Sequence, residues 1–331
     1  MRRLGRLAAG LAATTVLSLT AGGCVTVHGE RAVVPGATVS EADQAVAAFL
    51  AAYNKADEAY DPALDADHVT GPLGAVTQAG LKARGSYHPD GNPDHRPLEL
   101  TDATYLVPKK AGWPRWFLAD TDSNRDTDGG DRDTRWLFVF VKSGPEDGWR
   151  AAYLAPLPAA KVPQFARDAD GLAVPVTANA PELAVKPKEL STSYTEYLEH
   201  GAPDVFAPGA TTSVWRKARE AAVRPGFSYQ YADQPLDSGA FAPLGLRTKD
   251  GGALVFFSSK HFERQTAAEG LKPAVGRDTA ALMEGAVTTT LTKERIASQL
   301  AYVPGRDGGD AGDGKVVMLN RTPGLVSAEG S

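Results

Sequence analysis

Residues 136–141 read Trp-Leu-Phe-Val-Phe-Val, a short run of aromatic and β-branched residues that is typical of a β-strand. Similar runs lie on either side and are separated by Gly, Pro, Asp and Asn, which favour turns. In this half of the chain the expected strands are 98–107, 116–119, 136–141 and 149–154. Short strands joined by turns predict an antiparallel meander.

A helical stripe precedes these strands. Its apolar residues recur at helical spacing and are Ala45, Val46, Phe49, Leu50 and Tyr53. Ser40 is the candidate N-cap, and Asp43 supplies an acid in the first turn. A second short helix is expected over 73–83, before the first strand.

The same order recurs in the second half. Apolar residues at helical spacing form two stripes, Leu190, Tyr194, Tyr197, Leu198 and Val214, Trp215, Ala218, Ala222. The expected strands are 227–231, 244–247, 254–257, 286–291, 297–302 and 315–319. Six prolines between residues 156 and 187 indicate a linker or a wrapped connection rather than core.

Helices followed by an antiparallel meander, twice over, predict the α+β class. No βαβ alternation occurs, unlike in the doubly wound solute-binding lipoproteins of transporters. The order resembles two tandem NTF2-like (cystatin-like) domains over 40–158 and 188–322, joined by the Pro-rich linker 159–187 and followed by a tail, 323–331. The resemblance implies a curved sheet with a pocket under the helices, which serves enzymes and binding modules alike.

The N-terminus has the three parts of a secretory signal. Three arginines lie within the first six residues, Leu7–Leu19 is apolar and uncharged, and Thr20–Gly23 are small residues before Cys24. The apolar run is shorter than the roughly 20 residues that a membrane span needs. The Arg2–Arg3 pair is part of a twin-arginine signal, but general secretion fits the flanking residues better.

Residues 19–24, Leu-Thr-Ala-Gly-Gly-Cys, resemble the bacterial lipobox. The resemblance implies cleavage after residue 23, a diacylglyceryl group on Cys24, and anchoring on the extracytoplasmic face of the cell membrane, with residues 24–39 as a tether. Ala21 stands where the lipobox usually has Leu, and the alternative is a plain signal peptide with an incidental cysteine.

The charge of the chain excludes some partners. Removing the signal leaves 32 basic and 40 acidic residues, so the formal net charge changes from −5 to −8. This argues against a nucleic-acid partner and against the mature protein lying flat on anionic lipid. The signal, the Ala-, Gly-, Asp- and Arg-rich composition and the doubled unit resemble uncharacterised lipoproteins of actinobacteria such as streptomycetes.

An acidic segment is the candidate metal site. Alternating oxygen-bearing side chains before two glycines could bind calcium, and they are Asp120, Asp122, Asn124, Asp126 and Asp128. The alternative is a solvated hairpin turn, because turns prefer the same residues. A shorter repeat of the pattern comprises Asp307, Asp310 and Asp313.

Histidines supply weaker candidates. His88, Asp90, Asp94 and His95 could bind zinc, although the prolines and glycine between them indicate a surface loop. Acid–base catalysis would fall to His68 or His200, each expected at the end of a helix, where a histidine also favours the helix dipole. No catalytic or cofactor motif is present, and no cofactor is predicted.

Aromatic residues could line a pocket or fill the core. They are Trp113, Trp116, Trp136, Trp149, Trp215, Tyr105, Tyr153, Tyr229, Tyr231 and Phe241. The sequence as a whole predicts a non-catalytic lipoprotein that binds a protein or a small apolar ligand. The alternatives are an enzyme of the hydrolase or isomerase type and a structural or assembly factor of the envelope.

Overall fold

The protein has four layers, in the order helix, sheet, sheet, helix. The computed structural model describes residues 32–127, 129–130, 132–306 and 313–331. The two sheets stack face to face, and a helix covers the outer face of each sheet. This is an α+β arrangement, as the element order predicts.

The first half contains two helices and six strands. They are β1 (Val33–Pro35), α1 (Val39–Ala59), α2 (Gly71–Tyr87), β2 (Leu100–Leu106), β3 (Lys109–Ala111), β4 (Arg115–Ser123), β5 (Thr134–Lys142) and β6 (Arg150–Pro158). Strands β2, β4, β5 and β6 form an antiparallel sheet in that order, and β1 pairs with β3 in a separate ribbon. All four strands predicted for this half are therefore present.

Helix α1 begins two residues earlier than the sequence analysis places it. Thr38, not Ser40, is the N-cap, and its hydroxyl accepts from the Glu41 amide while the Glu41 carboxylate accepts from the Thr38 amide. This reciprocal capping box satisfies two amide groups that would otherwise have no partner. The buried face of the helix includes Phe49 from the predicted stripe.

The second half contains three short helices and a six-stranded sheet. They are α3 (Leu190–His200), α4 (Trp215–Glu220), β7 (Phe227–Leu236), β8 (Leu244–Arg247), β9 (Ala253–Ala267), α5 (Arg277–Ala281), β10 (Met283–Gly285), β11 (Thr290–Val303) and β12 (Val317–Gly330). The strand order is β10-β12-β11-β9-β7, with β8 also pairing β9. The pairing is antiparallel except between β10 and β12, which the predicted meander did not include.

Strict alternation along the central strands divides the apolar side chains between three cores. In β5, Leu137 and Val139 point toward the other sheet, whereas Phe138 and Phe140 point toward α1. In β9, Leu254 and Phe256 join the core between the sheets, whereas Val255 and Phe257 join the core under α3. Successive strand residues point to opposite faces, so each sheet is apolar on both faces.

Polar bonds also join the two halves. The Tyr153 hydroxyl donates to the carbonyls of Phe241 and Ala242 at 2.9 and 3.0 Å. The Ser298 hydroxyl donates to the Leu154 carbonyl at 3.1 Å. These bonds fix the relative position of sheets whose apolar contact alone would allow sliding.

Three sequence predictions need correction. Residues 159–187 are not excluded from the core, because Phe165, Ala173 and Leu183 are buried in it. The predicted strand 286–291 is replaced by β10 and β11, with a turn between them after Gly285, whose φ is +73°. The predicted tail 323–331 continues β12 as far as Gly330.

The shared core predicts that the halves unfold together. Phe256 is 1% exposed and its ring lies 5.8 Å from that of Tyr153, so Phe256→Ala should lower the free energy of unfolding by about 3–5 kcal/mol. Four of the five tryptophans lie in the first half, so tryptophan fluorescence reports mainly on that half. The denaturation midpoint measured by this fluorescence should nevertheless fall, although Phe256 lies in the second half. Val223→Ala, at an 86% exposed position, is the control. An unshifted fluorescence transition beside a shifted circular-dichroism transition would contradict the shared core.

Candidate ligand-binding site

Asp233, Arg219 and His261 form a buried charged network in the second half. Asp233 on β7 faces His261 on β9 in register, and Arg219 reaches them from α4. The guanidinium binds the carboxylate through two bonds, of 2.6 and 3.0 Å. The three side chains are 1%, 6% and 7% exposed for Asp233, His261 and Arg219. A bidentate pair of this kind holds both groups in one orientation.

The pKa values of this network keep Asp233 charged and His261 neutral. Burial opposes charge on Asp233, but the bonds from His261 and Arg219 outweigh it and lower the pKa of the carboxyl. Burial, assisted by the positive charge of Arg219, lowers the pKa of His261 although Asp233 opposes this. The Nδ1 atom of His261 lies 3.0 Å from Asp233 Oδ1 and 2.7 Å from Arg219 Nη2, so it can donate to one or accept from the other.

Trp215 separates two guanidinium groups. The Arg219 and Arg321 guanidinium carbons lie 3.6 and 3.8 Å from the centre of the Trp215 ring. Tyr231 continues the aromatic surround, since its ring is parallel to that of His261 at 6.1 Å. Cation–π contact offsets part of the cost of removing these cations from water. A π-helical turn, Ala210–Val214, leads into α4 and positions Trp215.

Among the described residues, one cation of this region has no acid paired with it. Arg219 is matched by Asp233, and Arg216 lies 3.5 Å from Glu220. Among the described residues, no carboxylate lies within 4 Å of the guanidinium of Arg321. Burial lowers the pKa of Arg321, as expected for a cation with little water around it.

Three buried polar atoms of this region have no hydrogen-bond partner within the part of the chain that the structure describes. They are Nε of Arg219, Nε of Arg321 and Oε1 of Gln299. Gln299 on β11 faces Arg321 on β12 in register, so two of these atoms belong to neighbouring side chains. Buried polar groups in folded proteins normally have a partner, which can be water or a ligand.

An open cleft of about 430 Å³ reaches this network from solvent. Its walls come from the end of α3, from α4 and from β7, and they are Leu198, Glu199, His200, Arg216, Arg219, Glu220 and Tyr231. Arg219 is thus both part of the buried network and part of the cleft wall. A small ligand with an acidic group could bind here without displacing the apolar core.

The acidic segment of the first half is a hairpin turn whose side chains have separate partners. Asp120 binds Arg135 at 2.6 Å, and burial raises the pKa of this carboxyl. Asp122 accepts from the Ser123 amide, Asn124 bridges to Glu99 and Pro97, and Asp126 accepts from the Thr134 amide.

The four described candidate ligands thus have separate partners, and the calcium site stays a prediction. No three His, Cys, Asp or Glu side chains among them converge as metal ligands would. Asp128 lies outside the described residues, as do Asp307, Asp310 and the lipidation candidate Cys24. Asp313 accepts from the Lys315 amide at 3.3 Å.

The histidine-rich loop closes onto the end of α1. His95 Nδ1 lies 2.8 Å from the Asp57 carboxylate, and the ring of His88 packs edge-on against that of Tyr87. The Asn92 side-chain oxygen accepts from the Asp94 amide and so caps this turn. Asp90 lies beside His88 on a shallow cavity of about 330 Å³. The loop is therefore held by local contacts, and the predicted zinc ligands do not form a cluster.

Neither of the two predicted acid–base histidines belongs to the buried network, although His200 lines the cleft beside it. His200 is at the end of α3, where Gly201 adopts the left-handed conformation, and its side chain is 71% exposed. His68 lies in the connection between α1 and α2 and lines a polar cavity of about 710 Å³ with Glu41, Lys142 and Trp149.

Most of the candidate aromatic residues fill the cores. Trp116 and Tyr153 are buried between the sheets. The outer cores are completed by Tyr105, Trp136 and Trp149 under α1 and by Trp215, the first residue of α4, beside α3. Tyr229 accepts a bond from Gln265, and the carbonyl of Phe241 accepts from Tyr153. Trp113 lies partly exposed in the turn before β4.

Asp65 is a buried acid that the sequence analysis missed. It is fully buried between α1 and α2, where Gln78 donates to one carboxylate oxygen and the other has no partner. Burial raises its pKa to about 6. Its sequence context, Leu-Asp-Ala-Asp, gives no signal of burial because Asp67, two residues on, is exposed.

The chain matches one family model over nearly its whole described length. Residues 33–330 match the family described as "Domain of unknown function (DUF8094)". The chain belongs to this family. The match begins at β1 and ends with β12, so the family unit includes both halves and the connection between them.

Curated relatives come from streptomycetes. The chain is similar to "Uncharacterized lipoprotein SCO2278" of Streptomyces coelicolor, with 52% identity over 99% of this chain and 97% of the relative. It is also similar to an "Uncharacterized lipoprotein" of Streptomyces avermitilis, with 48% identity over 100% and 97% of the two chains. A more distant relative, "Uncharacterized lipoprotein SCO6871", is 27% identical over 89% of this chain and 88% of its own. No solved structure matches the chain.

Within the part of the chain that the structure describes, no helix combines the length and the apolar character needed to cross a membrane.

Asp65 predicts a specific pH dependence of stability. Because its pKa is raised on folding, Asp65 destabilises the fold increasingly as pH rises through about 6, and this cost disappears below about pH 4. Asp65→Asn should therefore raise the free energy of unfolding at pH 7.5 by about 1–3 kcal/mol and by much less at pH 4.5. Urea denaturation at the two pH values measures this difference, with the exposed Asp67→Asn as control. If Asp65→Asn changed the free energy of unfolding equally at the two pH values, the destabilising ionisation of buried Asp65 would be contradicted.

Proposed function

We propose that this protein is a lipoprotein acylated on Cys24, anchored on the extracytoplasmic face of the cell membrane, that binds a small acidic ligand without catalysis. The anchor is supported by the lipobox-like residues 19–24 and by the lipoprotein names of relatives that align over nearly their whole length. Two acyl chains hold a protein on a membrane durably, whereas one does not.

The positive charge around Trp215 is the observation that supports an acidic ligand. Arg219 and Arg321 flank this ring, yet the mature chain has a formal net charge of −8. A buried cation is costly unless an anion accompanies it. A carboxylate or phosphate group entering the cleft would lie beside Arg219, whose Nε atom has no hydrogen-bond partner among the described residues.

The polar lining changes the ligand class expected from sequence. A small apolar ligand would need an apolar pocket, whereas the cleft wall carries two arginines, one histidine and two acids, which are Arg216, Arg219, His200, Glu199 and Glu220. The aromatic residues that suggested an apolar ligand mostly contribute to the cores.

The NTF2-like organisation of the two halves is part of the same proposal. Each half places helices on one face of a largely antiparallel sheet, and the candidate cleft lies between helix and sheet, as the resemblance implies. We take the two halves to be tandem copies, each with a cavity beside its helix, of which the second adjoins the buried charged network.

A hydrolase- or isomerase-type enzyme is the second candidate. The observation in its favour is the His261–Asp233 pair, whose 3.0 Å contact is the arrangement that orients a catalytic base. Against it, both ring nitrogens of His261 lie within 3.5 Å of the Arg219 guanidinium, which leaves no ring nitrogen facing the cleft.

The anchor predicts a clear difference between the full chain and Cys24→Ala. In a streptomycete host the full chain should fractionate with membranes and show a lipid-sized mass increment on residues 24–331. Cys24→Ala should lose both properties, whereas Ser18→Ala, in the apolar run, should keep them. Release of unmodified protein into the medium from the full chain would refute the lipoprotein assignment.

The acidic ligand predicts that citrate or inorganic phosphate binds beside Arg219. Titration of the soluble Cys24→Ala protein should shift the imidazole NMR signals of His261 saturably. Arg219→Lys keeps the charge but loses the bidentate geometry, and should weaken binding roughly tenfold. Arg167→Lys, in the connection between the halves, is the control for an arginine outside the cleft. Equal binding by both variants, each with an unchanged melting temperature, would contradict this site.

A further inference from the structure

We propose that the end of the first half that carries the β1–β3 ribbon rests on the membrane, through Trp113 and the surrounding cations. The occupant of this surface is a bilayer containing anionic lipid such as phosphatidylglycerol. This inference rests on the lipid anchor of the proposed function and adds the orientation of the protein on the membrane.

The chain leaves little distance between the anchor and this end. Strand β1 starts at Val33, nine residues after Cys24, so an extended connection spans at most about 30 Å. The tether therefore ends before β1 and is shorter than the tether of residues 24–39 that the sequence predicts. The ribbon is fixed to the first sheet, because the Gly36 amide donates to the Pro108 carbonyl at 2.9 Å. A Cβ at Gly36 would come within 2.6 Å of the Trp116 carbonyl oxygen, so the chain passes closely over β4.

This end presents an aromatic ring, exposed aliphatic side chains and cations together. Trp113 is partly exposed in the turn between β3 and β4, with the Arg115 guanidinium 4.5 Å and the Lys142 amine 5.8 Å from its ring. Val33 and Val39 are 63% and 65% exposed. Tryptophan is enriched at the level of lipid head groups, where its apolar ring and its N–H are both accommodated.

Three cations at this end have no ion pair among the described residues, and each of them is partly exposed. Among the described residues, no carboxylate lies within 4 Å of the charged atoms of Lys110, Arg115 or Lys142. By contrast, Lys109 is held by Asp168 and Asp170. Basic groups close to an anionic bilayer attract it, and this attraction falls off within a Debye length.

Acids at this end limit the contact to a patch. Glu41, Glu146 and Asp147 line the cavity beside Lys142. Glu41 is engaged with Thr38 at the start of α1, and Asp147 lies against the turn at Gly144. The membrane contact therefore comprises the ribbon and the Trp113 turn rather than the whole end.

The opposite end of the same sheet is acidic. Strands β4 and β5 each have nine residues and run antiparallel, so the hairpin between them lies about 30 Å from the Trp113 turn. By sequence, residues 124–133 of that hairpin hold four aspartates and two arginines, a formal charge of −2. An anionic surface attracts one end of the sheet and repels the other, which also explains how a protein with net charge −8 contacts such a membrane end-on rather than lying flat.

The test measures the depth of two labels in the acylated full-length protein. With Cys24 acylated, a cysteine introduced at Ala111 in β3 or at Thr127 in the far hairpin is the only free thiol, and it receives an NBD fluorophore. Each labelled protein is placed on phosphatidylglycerol–phosphatidylcholine vesicles that contain a brominated lipid. The Ala111 label should lose emission and the Thr127 label should not.

Charge reversal identifies the contact. Lys110→Glu with Lys142→Glu should restore emission at Ala111 while the protein still floats with the vesicles, as should high salt. Lys217→Glu with Lys272→Glu, two exposed lysines of the second half, makes the same charge change and should have no effect. Both double variants should have the melting temperature of the parent protein, which excludes unfolding as the cause of a change in emission.

The outcomes separate this inference from the anchor itself. If the parent protein does not float with vesicles, the anchor is wrong and the orientation falls with it. If it floats but the two labels are quenched equally, or if neither is quenched, the anchor stands and the orientation is wrong. If the Ala111 label is still quenched in the variant with Lys110→Glu and Lys142→Glu, these two lysines do not make the membrane contact.

Discussion

The contact between the inner faces of the two sheets is the interaction on which the rest of this fold depends. Leu137 and Val139 from one sheet meet Leu254 and Phe256 from the other, and all four are at most 1% exposed. Either half alone would leave this apolar face in water, which monomeric soluble proteins avoid. The connection between the halves contributes Phe165 to the same core, so it acts as part of the packing rather than as a flexible spacer.

Because the inner faces are covered, only the outer faces and the sheet ends remain for a site. In the first half, α1 is 21 residues long and packs on a cluster of phenylalanines that includes Phe49, Phe138 and Phe140. In the second half, α3 has only 11 residues. Beyond its end the sheet carries Asp233 and His261 instead of apolar side chains, and α4 covers them with Arg219. The buried charges thus occur where the helix is too short to cover the sheet.

The runs of aromatic and β-branched residues and the helical stripes made the class and most elements predictable, because both patterns are local in sequence. The stacking of the two sheets was not predictable, since a strand such as β9 that is apolar on both faces shows no alternation to indicate it. The charged network was missed for a different reason. Asp233, His261 and Arg219 are up to 42 residues apart in sequence and come together only through the pairing of β7 with β9. In the acidic hairpin, conspicuous in sequence, the described side chains of Asp122, Asp126 and Asp133 accept from nearby backbone amides.

Native-state hydrogen exchange tests the central claim that one core joins both halves. Amides of 137–140 in β5 and 254–257 in β9 lie in different sheets and are paired only within their own sheet. If the inner contact couples the halves, both segments should exchange through the same global opening, with equal free energies and equal dependence on denaturant. Exchange of one segment at markedly lower free energy than the other would show that the halves unfold independently, and would contradict this account.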